Sequence, residues 1–560
     1  MFGVLALLAT NIAALSIPYF LGRAVEDLRN GKAPSETVPR YAFAILALAL
    51  CQGLTRITSR ITIFNAARKA EFDLRSELFR HLLTLDRSFY SRNSTGDVMS
   101  RLTSDVQTVR AMYGPGLLNL VNTAFMFTVA LVLMISINPS LTFWALLPYP
   151  SMFILGKFFG RQIYKASSAV QKQIGSLSTD IQEDLSGIGI VKSYHLEEHR
   201  LERFSKVSKE LIHKNMAVAK IRGMLVPILG AVAVLGTIIV LYVGGNAVIR
   251  QEITLGQMVQ FSAYLALLVW PTLALGWMLS LFQRGKASWS RLLLILETKP
   301  NIVEGEKELQ APIQGDVRIT DLNLSLDDKP ILKHINLHFK PGTTNALVGR
   351  TGSGKTVLAE CLTRGYSFDK DTITIDGVDI CDLRFSSLRK NVGYAPQEAY
   401  LFSTTIDKNI QMGSALAGAS SAVHMDVLIK AAGLSKDLAG FPNGMDTMVG
   451  ERGVTLSGGQ RQRVALARAL ATEAPLLILD DSLSAVDADT EQEILNALTP
   501  LLKNRTSVII SHRIAAIQRA SHIVVLDEGA VVEEGTHADL IQSGGVYSQI
   551  YRDQLSGQFQ

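Results

Sequence analysis

Long apolar stretches constrain this chain more than any other feature. A helix needs about 20 mostly apolar residues to cross a bilayer, and six segments meet that need, at residues 2–22, 41–62, 116–137, 139–160, 224–248 and 257–282. Backbone amides in hydrocarbon must find their partners within the segment, so each is expected to be helical. The third and fourth are joined only by Ile137-Asn138-Pro139-Ser140, a tight extracytoplasmic turn. Long polar helical stretches separate the second span from the third (residues 65–115) and the fourth from the fifth (residues 161–222). Both carry basic clusters, Arg68, Lys69, Arg75 and Arg80 in one and Lys192, Arg200, Arg203 and Lys206 in the other. The excess of Lys and Arg places these loops, and with them both termini, in the cytoplasm. Such loops let spanning helices run far into the cytosol and end in short transverse helices that touch a motor domain, with Ser88–Asn93 and Tyr194–Arg203 as the expected contact segments. The plainer alternative is a pair of solvated helices.

Composition sharpens the division. Hydrophobic residues make up 48% of the 560 and charged residues 19%, with a mean hydropathy of +0.22. The apolar residues concentrate before residue 283, while the sequence from about residue 300 onward has the mixture of a soluble α/β protein. A formal charge of +5 is small for this length and argues against a nucleic-acid partner. Cys51, Cys361 and Cys381 lie too far apart to suggest a metal site or disulfide framework. Met1-Phe2 runs straight into apolar sequence without the flanks of a secretory signal, and reads as the start of the first membrane helix. After the sixth span a helix is expected from Arg284 to about Thr298, then a Glu- and Lys-rich linker over Asn301–Gln314. From Asp316 short β-branched runs alternate with helical patterns, as in a parallel sheet.

The most specific signal is Gly349-Arg350-Thr351-Gly352-Ser353-Gly354-Lys355-Thr356, placed between an expected strand, Asn345–Val348, and an expected helix, Val357–Thr363. Glycines let backbone N–H groups curl around phosphates, and the helix N-terminus adds positive potential. In such a P-loop Lys355 reaches the β/γ-phosphates of ATP and Thr356 ligates Mg²⁺. Leu476-Leu477-Ile478-Leu479-Asp480 is an apolar strand ending in a carboxylate, where a Mg²⁺ ligand is wanted. Upstream, Leu456-Ser457-Gly458-Gly459-Gln460 opens a helix carrying Arg461, Arg463 and Arg468.

Together these runs resemble the ATP-binding-cassette family. The signature motif is matched at 456–460, the Q-loop at Tyr394-Ala395-Pro396-Gln397, the D-loop at Ser484-Ala485-Val486-Asp487 and the switch histidine at Ser511-His512-Arg513. Val449-Gly450-Glu451-Arg452-Gly453 resembles the segment before the signature in exporters, and the run from Ser94 to Thr103 resembles their first cytoplasmic loop. The resemblance implies a head-to-tail dimer in which each ATP lies between one chain's P-loop and the other's signature. Ser457, Gly458, Gly459 and Gln460 would then serve a nucleotide bound mainly by the partner. Gln397 would ligate Mg²⁺ and sense the membrane domain, and His512 would contact the γ-phosphate and help position the attacking water. Similar exporters begin with an amphipathic stretch missing here, so the chain is expected to be natively short or trimmed.

Two departures matter. Where the family has a Glu after Asp480, this chain has Asp481, one methylene shorter, and misplacement of about 1 Å can cost about a hundredfold in rate. Leu326 stands where an adenine-stacking aromatic is usual, and Tyr366 and Tyr394 lie far along the chain from it. Both point to a slowed ATPase half, typical of heterodimeric exporters.

In the second span Gln52, Arg56 and Arg60 recur every four residues and share a face. That face either snorkels to inner-leaflet headgroups or lines a cavity favouring anionic or amphipathic substrates. Trp270, Pro271 and Trp277 in the sixth span either line that cavity or pack and anchor.

The expected protein is therefore a multi-domain membrane protein: a six-helix all-α transmembrane domain (1–300), a linker (301–315) and an α/β P-loop ATPase domain (316–560). Its expected work is ATP-driven export of small hydrophobic or amphipathic molecules across the inner membrane, as half of a heterodimer. Its expected partners are a second half-exporter subunit, membrane lipids and the small-molecule substrate. The alternatives are a homodimeric lipid flippase and an ATP-gated channel or sensor on the same scaffold.

Overall fold

The computed structural model describes residues 2–555 apart from residues 328, 418–424, 451–452, 454–455 and 485. The chain divides into two units, one of Met1–Leu83 with Asn93–Thr298, the other of Thr84–Arg92 with Lys299–Gln560.

The first unit is all helix: α1 (Phe2–Arg29), α2 (Pro34–Leu82), α3 (Thr95–Ile137), α4 (Pro139–Leu146), α5 (Tyr149–Ser186), α6 (Glu197–Ile249) and α7 (Leu255–Glu297). Among the described residues five of these, α1, α2, α3, α6 and α7, are long and apolar enough to cross a membrane. The fourth expected span, 139–160, is not an uninterrupted helix. It breaks at Leu147-Pro148, where proline's missing N–H and its ring end α4, and α5 resumes at Tyr149. Only the first part of α5 is apolar; from Lys157 to Ser186 it is polar. The helix expected to begin at Arg284 is instead the continuation of α7, which starts from a capping box. The Gln257 backbone N–H donates to Thr254 Oγ1 at 3.1 Å, and the Thr254 N–H donates to Gln257 Oε1 at 2.8 Å.

A buried apolar cluster including Met126, Met134, Leu141, Val232, Phe261, Tyr264 and Leu268 ties α3, α4, α6 and α7 together. Large side chains such as Phe43, Leu54 and Ile154 are exposed, the pattern of helices whose outer faces meet lipid or protein. The polar arms of α5 and α6 pair with each other. Arg203 Nη2 donates to Asp180 Oδ1 at 2.7 Å, and Gln173 Nε2 donates to Glu210 Oε2 at 3.2 Å.

In the second unit β1 (Val317–Leu326), β2 (Lys329–Phe339), β4 (Ile373–Ile375) and β5 (Val378–Asp379) form an antiparallel sheet in the order β2-β1-β4-β5. A second sheet has the order β10-β9-β3-β8-β7-β6, from β3 (Thr344–Gly349), β6 (Val392–Ala395), β7 (Leu476–Asp480), β8 (Thr506–Ile510), β9 (His522–Asp527) and β10 (Ala530–Gly535). All its pairs are parallel except β9 with β10. Strands β7 and β8 are buried along their whole length, as expected of strands covered on both faces. The helix α8 (Lys355–Leu362) buries Leu358, Cys361 and Leu362 in one core with Phe339, Leu347 and Ile478.

Helices α1 and α7 approach backbone to backbone at Gly22 and Gly256. A Cβ on Gly256 would lie 2.2 Å from the Gly22 carbonyl oxygen, so only small residues permit this crossing. Gly256→Ala should therefore lower the thermal unfolding midpoint in detergent, whereas Gly230→Ala, whose Cβ would meet nothing within 4 Å, should leave it in place. Equal midpoints for the two variants would contradict this account of the crossing.

Candidate nucleotide site

Parallel strands deliver their C-terminal ends to one edge of the sheet, the usual location of ligands in such folds. The register here pairs Leu347 of β3 with Ile510 of β8, Asp480 of β7 with the same Ile510, and Leu479 with Ala395 of β6. The loop after β3, the carboxylate ending β7, His512 beyond β8 and Gln397 beyond β6 consequently share one edge.

The loop from Gly349 to Thr356 turns where side chains do not fit. Gly354 has φ 98° and caps α8, and a Cβ on Gly349 would lie 2.1 Å from the Leu526 carbonyl oxygen. The Lys355 ammonium is buried and donates to the carbonyls of Gly349 (2.9 Å) and Arg350 (2.8 Å) and to Ser353 Oγ (3.3 Å). Burial pulls its pKa below the usual lysine value, while the charges of Asp480 and Asp481 push the other way. Thr351 and Gly352 sit at the turn of this loop, and Gly352 adopts φ 84°.

The expected metal ligands meet in part. Thr356 Oγ1 donates to Asp480 Oδ1 at 3.3 Å, placing a hydroxyl and a carboxylate side by side as hard oxygen donors. Asp480 is 1% exposed, and its pKa is pushed up to about 6, first by burial and further by the charge of Asp481, against the hydrogen bond from Thr356. A buried carboxylate beside a hydroxyl is the hard oxygen donor set that Mg²⁺ takes. Among the described residues no hydrogen bond joins the third expected ligand to them: the Gln397 side chain is exposed, and its backbone carbonyl accepts from Gln462 Nε2 at 3.4 Å.

The backbone pins Asp481. It is buried at φ 43°, and its N–H donates to the Ile510 carbonyl at 2.9 Å. Burial lowers the pKa of His512, as does the nearby Lys355 charge, with Asp481 opposing. His512 is thus biased toward the neutral form.

Ser457, Gly458, Gly459 and Gln460 stand apart from this cluster. They open α9 (Gly458–Leu470) through a capping box: the Gln460 N–H donates to Ser457 Oγ at 3.2 Å and the Ser457 N–H to Gln460 Oε1 at 2.9 Å. Gln460 Nε2 and the Arg463 guanidinium both donate to Asp437, at 3.1 and 2.6 Å. Among the described residues these hydrogen bonds run within the signature region, not to the phosphate loop. Residues 451, 452 and 485 of the flanking exporter and D-loop runs lie outside the described residues.

Contacts that the sequence did not show complete the picture. Tyr394 donates to Asp480 Oδ2 at 3.4 Å. Tyr366 packs on the apolar core. Gln462 bridges the Gln397 carbonyl and Ser484 Oγ. Thr84–Arg92 is held by Asp86, which accepts from the Asn301 N–H at 2.7 Å, by Ser88, which accepts from Asn301 Nδ2 at 3.0 Å, and by an Arg87–Glu360 ion pair. Glu360 lies on α8, one turn beyond Thr356. Most of the expected contact segment Ser88–Asn93 thus belongs to the ATPase unit, whereas Tyr194–Arg203 stays in the helical unit, with Arg203 paired to Asp180.

Comparison with known proteins agrees with this geometry. Residues 1–272 match the family model of the ABC transporter transmembrane region and residues 332–484 that of the ABC transporter. A probable multidrug resistance ABC transporter ATP-binding/permease protein of Bacillus subtilis is 35% identical over 98% of this chain and 94% of its own length. The multidrug resistance-like ATP-binding protein MdlA of Escherichia coli is 34% identical, covering 99% and 94%. An ATP-dependent lipid A-core flippase of Syntrophus aciditrophicus is 31% identical, covering 99% and 91%. The solved structure of a bacterial Atm1-family ABC exporter with ATP bound superposes with a TM-score of 0.80 at 26% identity, over 99% of this chain and 98% of that one.

Lys355 supplies the buried positive charge of the phosphate loop. Lys355→Ala should therefore weaken binding of a fluorescent ATP analogue by at least about tenfold, the scale of one charge-assisted hydrogen bond. Unchanged affinity in a fluorescence titration would remove the loop from nucleotide binding.

Proposed function

The chain belongs to the ABC transporter family and is an ATP-driven exporter of the membrane, and we propose that it works as the catalytically slow half of a heterodimer exporting small hydrophobic or amphipathic molecules. The observation that carries this reading is Asp481. The attacking water needs a carboxylate at a set distance, and Asp481 falls short of Glu by one methylene. Its backbone cannot advance to compensate, because its N–H is bonded to β8 and its side chain is buried. Leu326, half-buried at the end of β1, offers adenine an aliphatic surface in place of a ring, which supports the same assignment.

In this reading residues 316–560 bind nucleotide, 301–315 join them to the membrane domain of 1–300, and the two chains exchange helices in the membrane. Gly349–Thr356 wrap the phosphates, Lys355 neutralises them, and Thr356, Asp480 and Gln397 hold Mg²⁺, which would supply charge neutralisation when bound. Gln397 must then swing inward from its exposed position. His512, kept neutral by burial, can donate one N–H toward the γ-phosphate while Asp481 orients water. Ser457, Gly458, Gly459 and Gln460 face the partner's nucleotide. Their rigid capping box and the Asp437 anchor hold donors in place before the second chain arrives, the kind of preorganisation that stabilises developing charge.

Turnover should then depend on this chain's signature more than on its own carboxylate. In the assembled dimer Gly458→Glu, which sets a negative charge against the γ-phosphate, should lower ATPase by about a hundredfold, whereas Asp481→Asn should change it by less than about twofold. Should the chain alone form a homodimer with brisk ATPase that Asp481→Asn destroys, the heterodimer assignment falls and a homodimeric exporter replaces it. Uptake against a gradient into inside-out vesicles separates a pump from an ATP-gated channel.

A further inference from the structure

Within the helical unit, α1, α2, α3 and α7 enclose a cavity of about 250 Å³. Its wall on α2 carries Gln52, Arg56 and Arg60, one turn apart on one face, and no acidic side chain lines it. Arg56 and Arg60 are exposed to this space, and no described residue pairs with either. Two like charges at i and i+4 repel, and charge within a span is costly.

Snorkelling would account for the two arginines but not for their neighbours. Asn11 and Ser59 also line the cavity, at 4% and 1% exposure, and neither Asn11 Nδ2 nor Ser59 Oγ has a hydrogen-bond partner among the described residues. Hydroxyls beside Ser59 on the same helix satisfy themselves. Thr55, Thr58 and Thr62 each donate to the carbonyl four residues back, at 2.7 to 2.9 Å. Ser59 forgoes that bond. An unmet buried donor is costly and calls for a specific explanation. The wall is thus rich in donors and positive charge, and the acceptors it offers are neutral amide and hydroxyl oxygens such as those of Gln52, Asn119 and Asn122. Across from it stand Leu7, Met126 and the exposed face of Trp270.

We infer that this cavity binds an amphipathic molecule with an anionic oxygen headgroup, a carboxylate, sulfonate or phosphate, held by Arg56, Arg60, Asn11 and Ser59, its apolar body lying against Leu7, Met126 and Trp270. The inference rests on the exporter reading for transport of that molecule, while its binding stands on the cavity alone. The headgroup can belong to a membrane lipid or to a dissolved amphiphile.

The test uses the assembled, full-length protein in phosphatidylcholine nanodiscs, with dansyl-undecanoic acid and its uncharged methyl ester as probes and energy transfer from tryptophan as the signal. The acid should bind at least about tenfold more tightly than the ester, the scale of a charge-assisted contact. Arg56→Gln with Arg60→Gln should erase that preference, and Arg56→Lys with Arg60→Lys should keep part of it. Equal binding of acid and ester by the unaltered protein would overturn the inference without recourse to any variant, as would a preference that survives both Gln substitutions. Repeating the titration with phosphatidylglycerol in the nanodisc identifies the source. Displacement of the acid assigns the site to an anionic lipid, and undisturbed binding assigns it to a dissolved amphiphile. ATP-driven uptake of a neutral hydrophobic dye into inside-out vesicles is scored separately. Uptake without acid preference defeats this inference and spares the exporter reading, and acid preference without uptake of dye or acid does the reverse.

Discussion

The ATPase unit depends on a balance among three buried charges. Lys355 gives its protons to the loop's own oxygens at 2.8 to 3.3 Å, while Asp480 and Asp481 lie close enough to oppose the effect of burial on it. An ammonium out of water needs such partners. Burial pushes the pKa of Asp480 up to about 6, and the charges of Asp481 and Glu360 push the same way, so its carboxylate lacks solvation that a cation would replace. A polyphosphate carrying a divalent cation would bring both signs at once: the phosphates would accept the hydrogen bonds that Lys355 donates, and the Asp480 and Thr356 oxygens would hold the cation. The strand order places these groups on one edge, because β3, β7 and β8 run parallel in adjacent positions.

Features written locally in the chain were legible from sequence. The loop 349–356 needs glycines at set places and a following helix, and β7 is an apolar run ending in a carboxylate. Five of the six spans follow from length and apolarity. What an apolar count does not register is the backbone of the fourth, 139–160. Leu147-Pro148 interrupts the helix that composition alone would draw through it. Long-range pairings left no local trace. Asp437 holds Gln460 and Arg463 from more than twenty residues upstream, and Arg87 pairs with Glu360 across 273 positions. Tyr394 lay inside a recognised motif, yet its hydroxyl's turn onto Asp480 follows only from the register of β6 on β7.

The face shared by Gln52, Arg56 and Arg60 was readable from a spacing of four, but what it faced was not. Two observations absent from the sequence weigh on that choice. One is that α1 and α3 close around the face to form a cavity. The other is that Asn11 and Ser59 are buried there without partners. Arginine at a lipid interface pulls toward headgroups and asks nothing of its neighbours, whereas a recognition site leaves several donors unmet together.

The signature region is built on a different principle from the phosphate loop. Lys355 is held by bonds that a ligand can replace one for one, so its loop is ready to exchange partners. Ser457 and Gln460 satisfy each other reciprocally, and Asp437 fixes the first turn of α9 from the side. Gly458 and Gly459 open a 13-residue helix, whose N-terminal dipole favours an anion. One surface is soft and charged, the other stiff and neutral. In the proposed dimer a stiff donor set would yield little when its ligand's charge changes, so it would distinguish a nucleotide with a γ-phosphate from one without, and the closing of two chains around ATP would be conditional on that phosphate.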